Sequence, residues 1–256
     1  MVRGAQNLSE PSEPPEPRNP DMLSFIVPAH NEEPLIAATL RAIRAASAGL
    51  GESPEIIVVD AASTDRTAEI AAAEGARVVS VNVRQIAAAR NAGAAAARGD
   101  IFVFVDADTM VNAGGVRGRL AAMRAGAVGG GAAIRFDEPT PRYTRLSLAI
   151  LNASCRLFHW AAGAFIFCSR TAFEAAGGFD LRLFAAEEIC FSRAMRQRGR
   201  FVILRESVLT SGRKMRTHSA WEILWIVLRI GIAGPWGVRS RKRLDLWYGP
   251  RREDKQ

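Results

Sequence analysis

The chain is short of the residues that cross-link, ligate or stack. Its 256 residues include only three cysteines, three histidines, two tyrosines and three lysines. Cys155, Cys168 and Cys190 are widely spaced, odd in number and set among apolar neighbours. That pattern excludes a disulfide framework or a cysteine zinc site and predicts reduced thiols in a cytosolic compartment. The first residues have neither a basic start nor an apolar run, so no signal peptide is expected and the cytoplasm is the predicted location. Basic and aromatic residues are not interleaved, and no nucleic-acid motif accompanies the formal charge of +8, which argues against a nucleic-acid partner. With lysine so scarce the charge rests on arginine, whose planar fork suits phosphate. Anionic ligands or an anionic membrane surface are the partners left.

What is present is an α/β pattern. Hydrophobic residues make up 48% of the chain, enough for one large domain with tails. Residues 1–21, with Pro11, Pro14, Pro15, Pro17 and Pro20 among Ser and Glu, read as a disordered tail. The domain is predicted over 22–215, followed by a C-terminal segment, 216–256, with an amphipathic helix and a basic tail. The pattern centres on Ile101-Phe102-Val103-Phe104-Val105-Asp106-Ala107-Asp108. Five apolar residues ending in two carboxylates predict a strand buried on both faces whose carboxyl end opens into a site. Two aspartates one residue apart offer hard oxygen ligands to Mg²⁺ or Mn²⁺ and leave other positions to phosphate oxygens.

Three strands are predicted before that run, at Leu23–Val27, Glu55–Val59 and Arg77–Val81. Helices are predicted from the turn after Pro28 to about Ser47, with Asn31 as its cap, then over Arg66–Glu74 and over Gln85–Ala97. The order β-α-β-α-β-α-β predicts a doubly wound parallel sheet with its ligand crevice at the strands' carboxyl ends. Asn31 with Glu32, Asp60, and the Asp106/Asp108 pair all stand at such ends.

Pro28-Ala29-His30-Asn31-Glu32, Asp60 with Ser63-Thr64-Asp65, Arg90-Asn91-Ala92-Gly93 and Asp106-Ala107-Asp108, in this order, resemble the family 2 glycosyltransferases of GT-A fold. Gly177-Gly178-Phe179-Asp180 followed by Glu187-Glu188 extends the resemblance, which covers about residues 23 to 212. It implies a GT-A-like, Rossmann-like doubly wound sheet, mostly parallel, with a mixed acceptor-side half. It also implies a nucleotide-diphosphate sugar donor, a divalent metal, inversion at the anomeric carbon and transfer of a hexosyl group. By the same resemblance Pro28, Ala29, Asn31, Glu32, Asp60, Ser63 and Asp65 line the donor pocket. Arg90 and Asn91 lie along the nucleotide, Asp106 stands near ribose or metal, and Asp108 ligates the metal.

An inverting transfer needs a carboxylate to take the acceptor's proton. Family members more often carry Glu-Asp where this chain has Glu187-Glu188, which maps the base onto Glu188 with Glu187 beside it. Many relatives place a histidine where this chain reads Ser211-Gly212-Arg213-Lys214, so Arg213 and Lys214 become candidates for binding the diphosphate, with His218 as a displaced ligand.

The acceptor half is predicted to hold an amphipathic helix from Tyr143 to Trp160, a strand at Ala164–Cys168, a helix at Thr171–Ala176 and strands at Phe201–Leu204 and Ser207–Ser211. The glycine-rich stretch 126–131 is not a dinucleotide fingerprint and lacks the Gly-Lys-Ser/Thr of a P-loop. It is read either as a strand that lets backbone approach a ligand or as a crowded strand crossing. From Trp221 to Val238 a broken apolar segment leads to Arg239-Ser240-Arg241-Lys242-Arg243, too short to span a bilayer. It is read either as a helix lying in a membrane interface, where a lipid or lipid-linked acceptor would be met, or as a core helix with a solvated basic end. Two other functions fit parts of the pattern: a non-catalytic nucleotide-sugar binding protein, and a sugar nucleotidyltransferase, against which the chemistry of residues 28–32 argues.

Overall fold

In the computed structural model the described residues are 19–48, 53–137 and 142–217, with 221, 222, 225, 238, 239, 244 and 248. They form β1 (Asn19–Ala29), α1 (Ile36–Ala48), β2 (Glu55–Asp60), α2 (Thr67–Ala73), β3 (Arg77–Ser80), α3 (Ile86–Ala96), β4 (Gly99–Val105) and β5 (Thr109–Met110). Then come α4 (Ala113–Arg124), β6 (Ala127–Phe136), α5 (Arg142–Phe158), β7 (Phe165–Ser169), α6 (Arg170–Ala176), α7 (Glu187–Arg196), β8 (Arg200–Thr210) and α8 (Arg213–Thr217).

The strands make one eight-stranded sheet in the order β3-β2-β1-β4-β7-β6-β8-β5. β3, β2, β1 and β4 run parallel, β7 opposes β4 and β6 opposes β7, and β8 runs parallel to β6. Val105 pairs with Phe165, and Phe136 with Thr210. The carboxyl ends of β1, β2, β4, β6 and β8 therefore share one edge of the sheet with the start of β7.

Side chains alternate across a strand, so the apolar run of β4 feeds two cores. Val103 and Val105 join Phe25, Val27 and Val58 beneath Ile36, Leu40 and Ile43 of α1. Phe102 and Phe104 join Ile26, Ile57 and Val59 on the other face, beneath α3, Phe173 of α6 and Phe191 of α7. There Phe179 stacks on Phe191 at 4.3 Å and meets Phe104 edge-on at 5.1 Å. Each such ring, taken out of water, contributes about 1.5–3 kcal/mol. Gly93 lets α3 settle onto the sheet, because a Cβ there would stand 2.3 Å from Cγ2 of Ile26.

The sheet bears out the mostly parallel, mixed arrangement and corrects several details. The two strands expected after residue 200 are one, β8, whose register slips at Arg205 and Glu206: Gly131 pairs with Ile203, and Ala133 with Ser207. β1 starts at Asn19, inside the predicted tail, while residues 1–18 lie outside the described ones. β5 and α4 have no counterpart in the sequence reading; α4 carries two glycines in its first turn, which lowers its helical signal. Asn31 does not cap a helix, because φ is +53° there and α1 begins five residues later, at Ile36. The glycines of β6 answer to packing: a Cβ on Gly130 would meet the Val202 carbonyl at 2.2 Å, and one on Gly131 would meet Ala161 at 2.7 Å. The ligand-approach reading of that stretch is set aside. Between 216 and 256 most positions, including His218 and most of the apolar run after Trp221, lie outside the described residues.

Candidate active site

At the carboxyl ends of β1 and β2 two loops hold each other. The Asn31 N–H donates to Ser63 Oγ at 2.9 Å, and the Asn31 side-chain oxygen accepts from the Thr64 N–H at 2.8 Å. Asp65 accepts from the backbone N–H of Glu33 and of Thr67, and the Glu32 N–H donates to Thr67 Oγ1. Asn31, Ser63 and Asp65 therefore fix the loops that surround the expected pocket. Pro28 and Ala29 end β1, and the Ala29 carbonyl accepts from Ala61. Asp60 closes β2, buried, and accepts from the Ser63 N–H at 3.3 Å. Ala62 holds φ at +58°, a left-handed conformation that costs an L-residue about 1–2 kcal/mol. Such strain persists where the surroundings over-determine it, commonly at functional sites.

His30, between these loops, was not singled out from the sequence. Its Nδ1 donates to the Ala61 carbonyl at 2.8 Å, and burial, aided by the positive charge of Arg84, holds the ring below the ordinary histidine range. A neutral ring donating through Nδ1 keeps Nε2 as an acceptor.

The centre of the site is a buried arginine. Arg90, 1% exposed, donates to Glu187 Oε1 at 2.7 Å, to Asp106 Oδ1 at 3.1 Å and to the Gly163 carbonyl at 3.2 Å. Its guanidinium also lies 5.1 Å over the Phe179 ring. Arg90, expected along the nucleotide, ties α3, the end of β4, the loop before β7 and the start of α7 together. Asn91 is held in the same way. Its amide donates to the Phe179 carbonyl at 2.8 Å and accepts from the Phe179 N–H at 2.9 Å, so it is consumed in pinning the Gly177–Asp180 turn.

Glu187 is buried against Arg90, and Glu188 beside it is partly buried. Burial pushes the Glu188 carboxyl up to about 8, with the negative charges of Glu187 and Asp106 acting in the same direction and Arg90 opposing them. Ala186, just before the pair, holds φ at +58°. Gly163 faces the same cluster: a Cβ there would stand 2.9 Å from the Arg90 guanidinium and 3.6 Å from Asp106 Oδ2. That side of the site has no room for a side chain.

On the other side of β4, Asp108 accepts from Thr210 Oγ1 at 3.3 Å, and its carbonyl accepts from the Ser211 N–H at 3.1 Å. Arg213 forks onto Glu32 at 3.0 and 3.3 Å, so two expected donor ligands are paired with each other across 181 residues. Asp137, absent from the sequence reading, accepts from Gly212 and from Arg216 at 2.7 Å. Its signal was weak, a single aspartate after a strand. The side chain of Lys214 lies outside the described residues.

Among the described residues no three His, Cys, Asp or Glu side chains gather as a cation cage. The donor set at the end of β4 is instead two hard carboxylates, Asp106 and Asp108. That fits Mg²⁺ or Mn²⁺, which take one or two carboxylates and complete their shell with water and substrate phosphates.

A sheet of this order, with Asp60 ending β2 and Asp-x-Asp following the central strand, is the arrangement of the GT-A fold. Residues 24–179 match the family model described as Glycosyl transferase family 2, and the chain belongs to that family. The sugar nucleotidyltransferase reading is thereby set aside.

Among curated relatives, the undecaprenyl-phosphate 4-deoxy-4-formamido-L-arabinose transferase of Pseudomonas paraeruginosa is 43% identical over 96 residues, 34% of this chain and 28% of that protein. The Aeromonas hydrophila protein of the same name is 36% identical over 95 residues, 34% of this chain and 29% of that one. The match thus spans less than a third of these relatives' length. Among solved structures, the mannosyltransferase PcManGT of Pyrobaculum calidifontis, in complex with GDP-Man and Mn²⁺, aligns at a TM-score of 0.63 and 20% identity. That alignment covers 87% of this chain and 65% of the other. S. aureus TarS 1-349 in complex with UDP-GlcNAc aligns at 0.60 and 17% identity, over 83% and 67%. At these identities the structures establish the fold.

Proposed function

We propose that this glycosyltransferase moves a sugar from a nucleotide-diphosphate sugar to a lipid or lipid-linked acceptor, with inversion, at the cytoplasmic face of a membrane. The observation that carries the reading is the cluster at the end of the central strand, where buried Arg90 holds Glu187 at 2.7 Å and Asp106 at 3.1 Å beside Glu188, whose carboxyl is pushed up by burial. Glu188 takes the proton of an acceptor hydroxyl while that oxygen bonds to the anomeric carbon, and the bond to the diphosphate breaks on the opposite side with its electron pair leaving on the diphosphate. Asp106 and Asp108 hold Mg²⁺ or Mn²⁺, which when bound offsets the charge developing on the leaving diphosphate. Asp60 and Glu32 face the nucleoside; Arg213, which forks onto Glu32 in this structure, exchanges that partner for the phosphates and acts with Lys214. Support for donor and metal comes from structural neighbours solved with GDP-Man and Mn²⁺ and with UDP-GlcNAc. Support for the acceptor comes from the undecaprenyl phosphate in the relatives' names.

Those names favour a second reading of the acceptor as a lipid phosphate. A phosphate arrives with its oxygen already ionised at neutral pH and has no proton to give up. Glu188→Gln separates the two: it abolishes transfer to a hydroxyl and spares transfer to a phosphate.

The test is a thermal-shift panel of UDP-, GDP- and TDP-sugars with and without Mn²⁺, on the wild type and Asp108→Asn. One nucleotide class is expected to stabilise the wild type only with metal, and Asp108→Asn is expected not to respond. The absence of a shift with every donor would remove the donor reading.

A further inference from the structure

Helix α5 turns its apolar side outward. Tyr143, Leu146, Ile150 and Leu157 recur at helical spacing along one stripe. Leu146, Ile150 and Leu157 are 68%, 58% and 72% exposed. The helix cannot roll to bury them, because its other side is fastened. Asn152 donates to the Ile134 carbonyl at 2.9 Å and accepts from the Ile134 N–H at 3.0 Å, while Thr144 and Cys155 are buried. An exposed row of this kind marks an interaction surface.

Charge identifies what the surface meets. The 17 residues of α5 contain no Asp or Glu and include Arg142, Arg145 and Arg156. Past its end Phe158 stacks on Trp160 at 4.7 Å, the Arg193 guanidinium lies 5.4 Å over the Trp160 ring, and Arg196 donates to the Phe158 carbonyl at 3.1 Å. An apolar stripe on a helix that itself carries arginine and no carboxylate, with Trp160 just past its end, has the chemistry of a helix lying in anionic headgroups. A second copy of a chain with formal charge +8 would bring like charge to this surface.

We propose that α5 is a membrane-docking face, its apolar stripe seated in the interfacial layer of an anionic bilayer with the exposed Arg156 toward the lipid phosphates. No helix among the described residues is long and apolar enough to cross a membrane. The face is coupled to the site. Ser192 Oγ accepts from the Ala161 N–H at 2.9 Å and donates to the Glu188 backbone carbonyl at 2.7 Å, so the loop after α5 is hydrogen-bonded to the helix that carries Glu188. Docking through α5 sets Glu188 near the headgroup layer, where a lipid-borne acceptor presents its polar end. The inference deepens the lipid-acceptor reading and rests on it only for what the bilayer carries.

The experiment is co-sedimentation of the full chain with vesicles of phosphatidylcholine containing phosphatidylglycerol, against pure phosphatidylcholine, with no acceptor lipid in either. The wild type is expected on the anionic vesicles only, and added salt is expected to release it. Leu146→Glu with Ile150→Glu is expected to weaken partition at least about tenfold. Both sites are exposed, and an unchanged melting temperature and donor-induced thermal shift show that the variant is folded. Wild-type partition by the folded double variant overturns the proposal. So does its loss on Trp221→Glu with Trp225→Glu alone, which assigns attachment to the C-terminal segment, or a wild-type dimer that the double variant dissolves. Because donor binding is read separately, failure on vesicles leaves the transferase reading standing, and failure of the donor panel leaves the docking face standing.

Discussion

Arg90 carries a full charge at a position water does not reach, and its surroundings set the terms. Deleting one partner of such a pair leaves the other buried and uncompensated, at a cost of about 3–5 kcal/mol. Arg90→Ala is therefore expected to lower the free energy of unfolding by about that amount in urea, because Glu187 stays at 3% exposure with no counter-charge. Removing both charges, as Arg90→Met with Glu187→Leu, recovers part of it. Full wild-type stability in Arg90→Ala would show that the pair stabilises nothing. Glu188 makes a different prediction. A base works deprotonated, so kcat/KM for a hydroxyl acceptor is expected to rise with pH through about 8, a limb that Glu188→Gln removes. The same shift acts on stability. The folded carboxyl keeps its proton up to about 8, whereas the unfolded one loses it near the ordinary glutamate value of about 4.3. The folded state thus binds the extra proton between those values, and Glu188 makes the protein less stable as pH rises across that window. Glu188→Gln is expected to melt above the wild type at alkaline pH, with the gap closing toward pH ~4. A pH-independent gap would contradict this.

At the scale of elements, β6 packs at backbone distance between two neighbours. Gly130→Ala would drive a Cβ against the Val202 carbonyl, and a strand backbone cannot step aside as a side chain can. Overpacking of this kind costs about 1–3 kcal/mol, and the loss should exceed that of Gly126→Ala, where φ is +81° but nothing lies within 4 Å. Equal melting temperatures for the two variants would show that β6 yields. Elements were legible in the sequence where the signal was local. The run of β2 ends in Asp60 and that of β4 runs into Asp106, and Ser169 and Gly177 bound α6 as turn chemistry dictates. What was illegible depended on remote partners. Arg205 and Glu206 look like a turn in sequence, yet β6 holds β8 continuous across them. Arg90 and Asn91 are assigned to the nucleotide by family resemblance alone; their contacts in the fold, 97 and 88 residues away, leave no local trace in the sequence. Asn31 reads as a cap, while its partners lie in the next loop.

Across the whole molecule, hydrophobic pattern and strand order were enough for the fold, because parallel strands buried on both faces leave few other arrangements. The candidate site was legible as a set of ends, the residues that stop each strand. Its internal wiring was not, since hydrogen bonds among side chains from five elements obey no spacing rule. The strand order also has a bearing on solubility. Among the described residues the sheet's two margins are its shortest strands, β3 with four residues and β5 with two. Arg77 and Ser80, the ends of β3, are exposed. A brief, polar margin offers an incoming strand almost no row of unpaired N–H and C=O groups to copy. This sheet is poorly suited to seed its own cross-β growth.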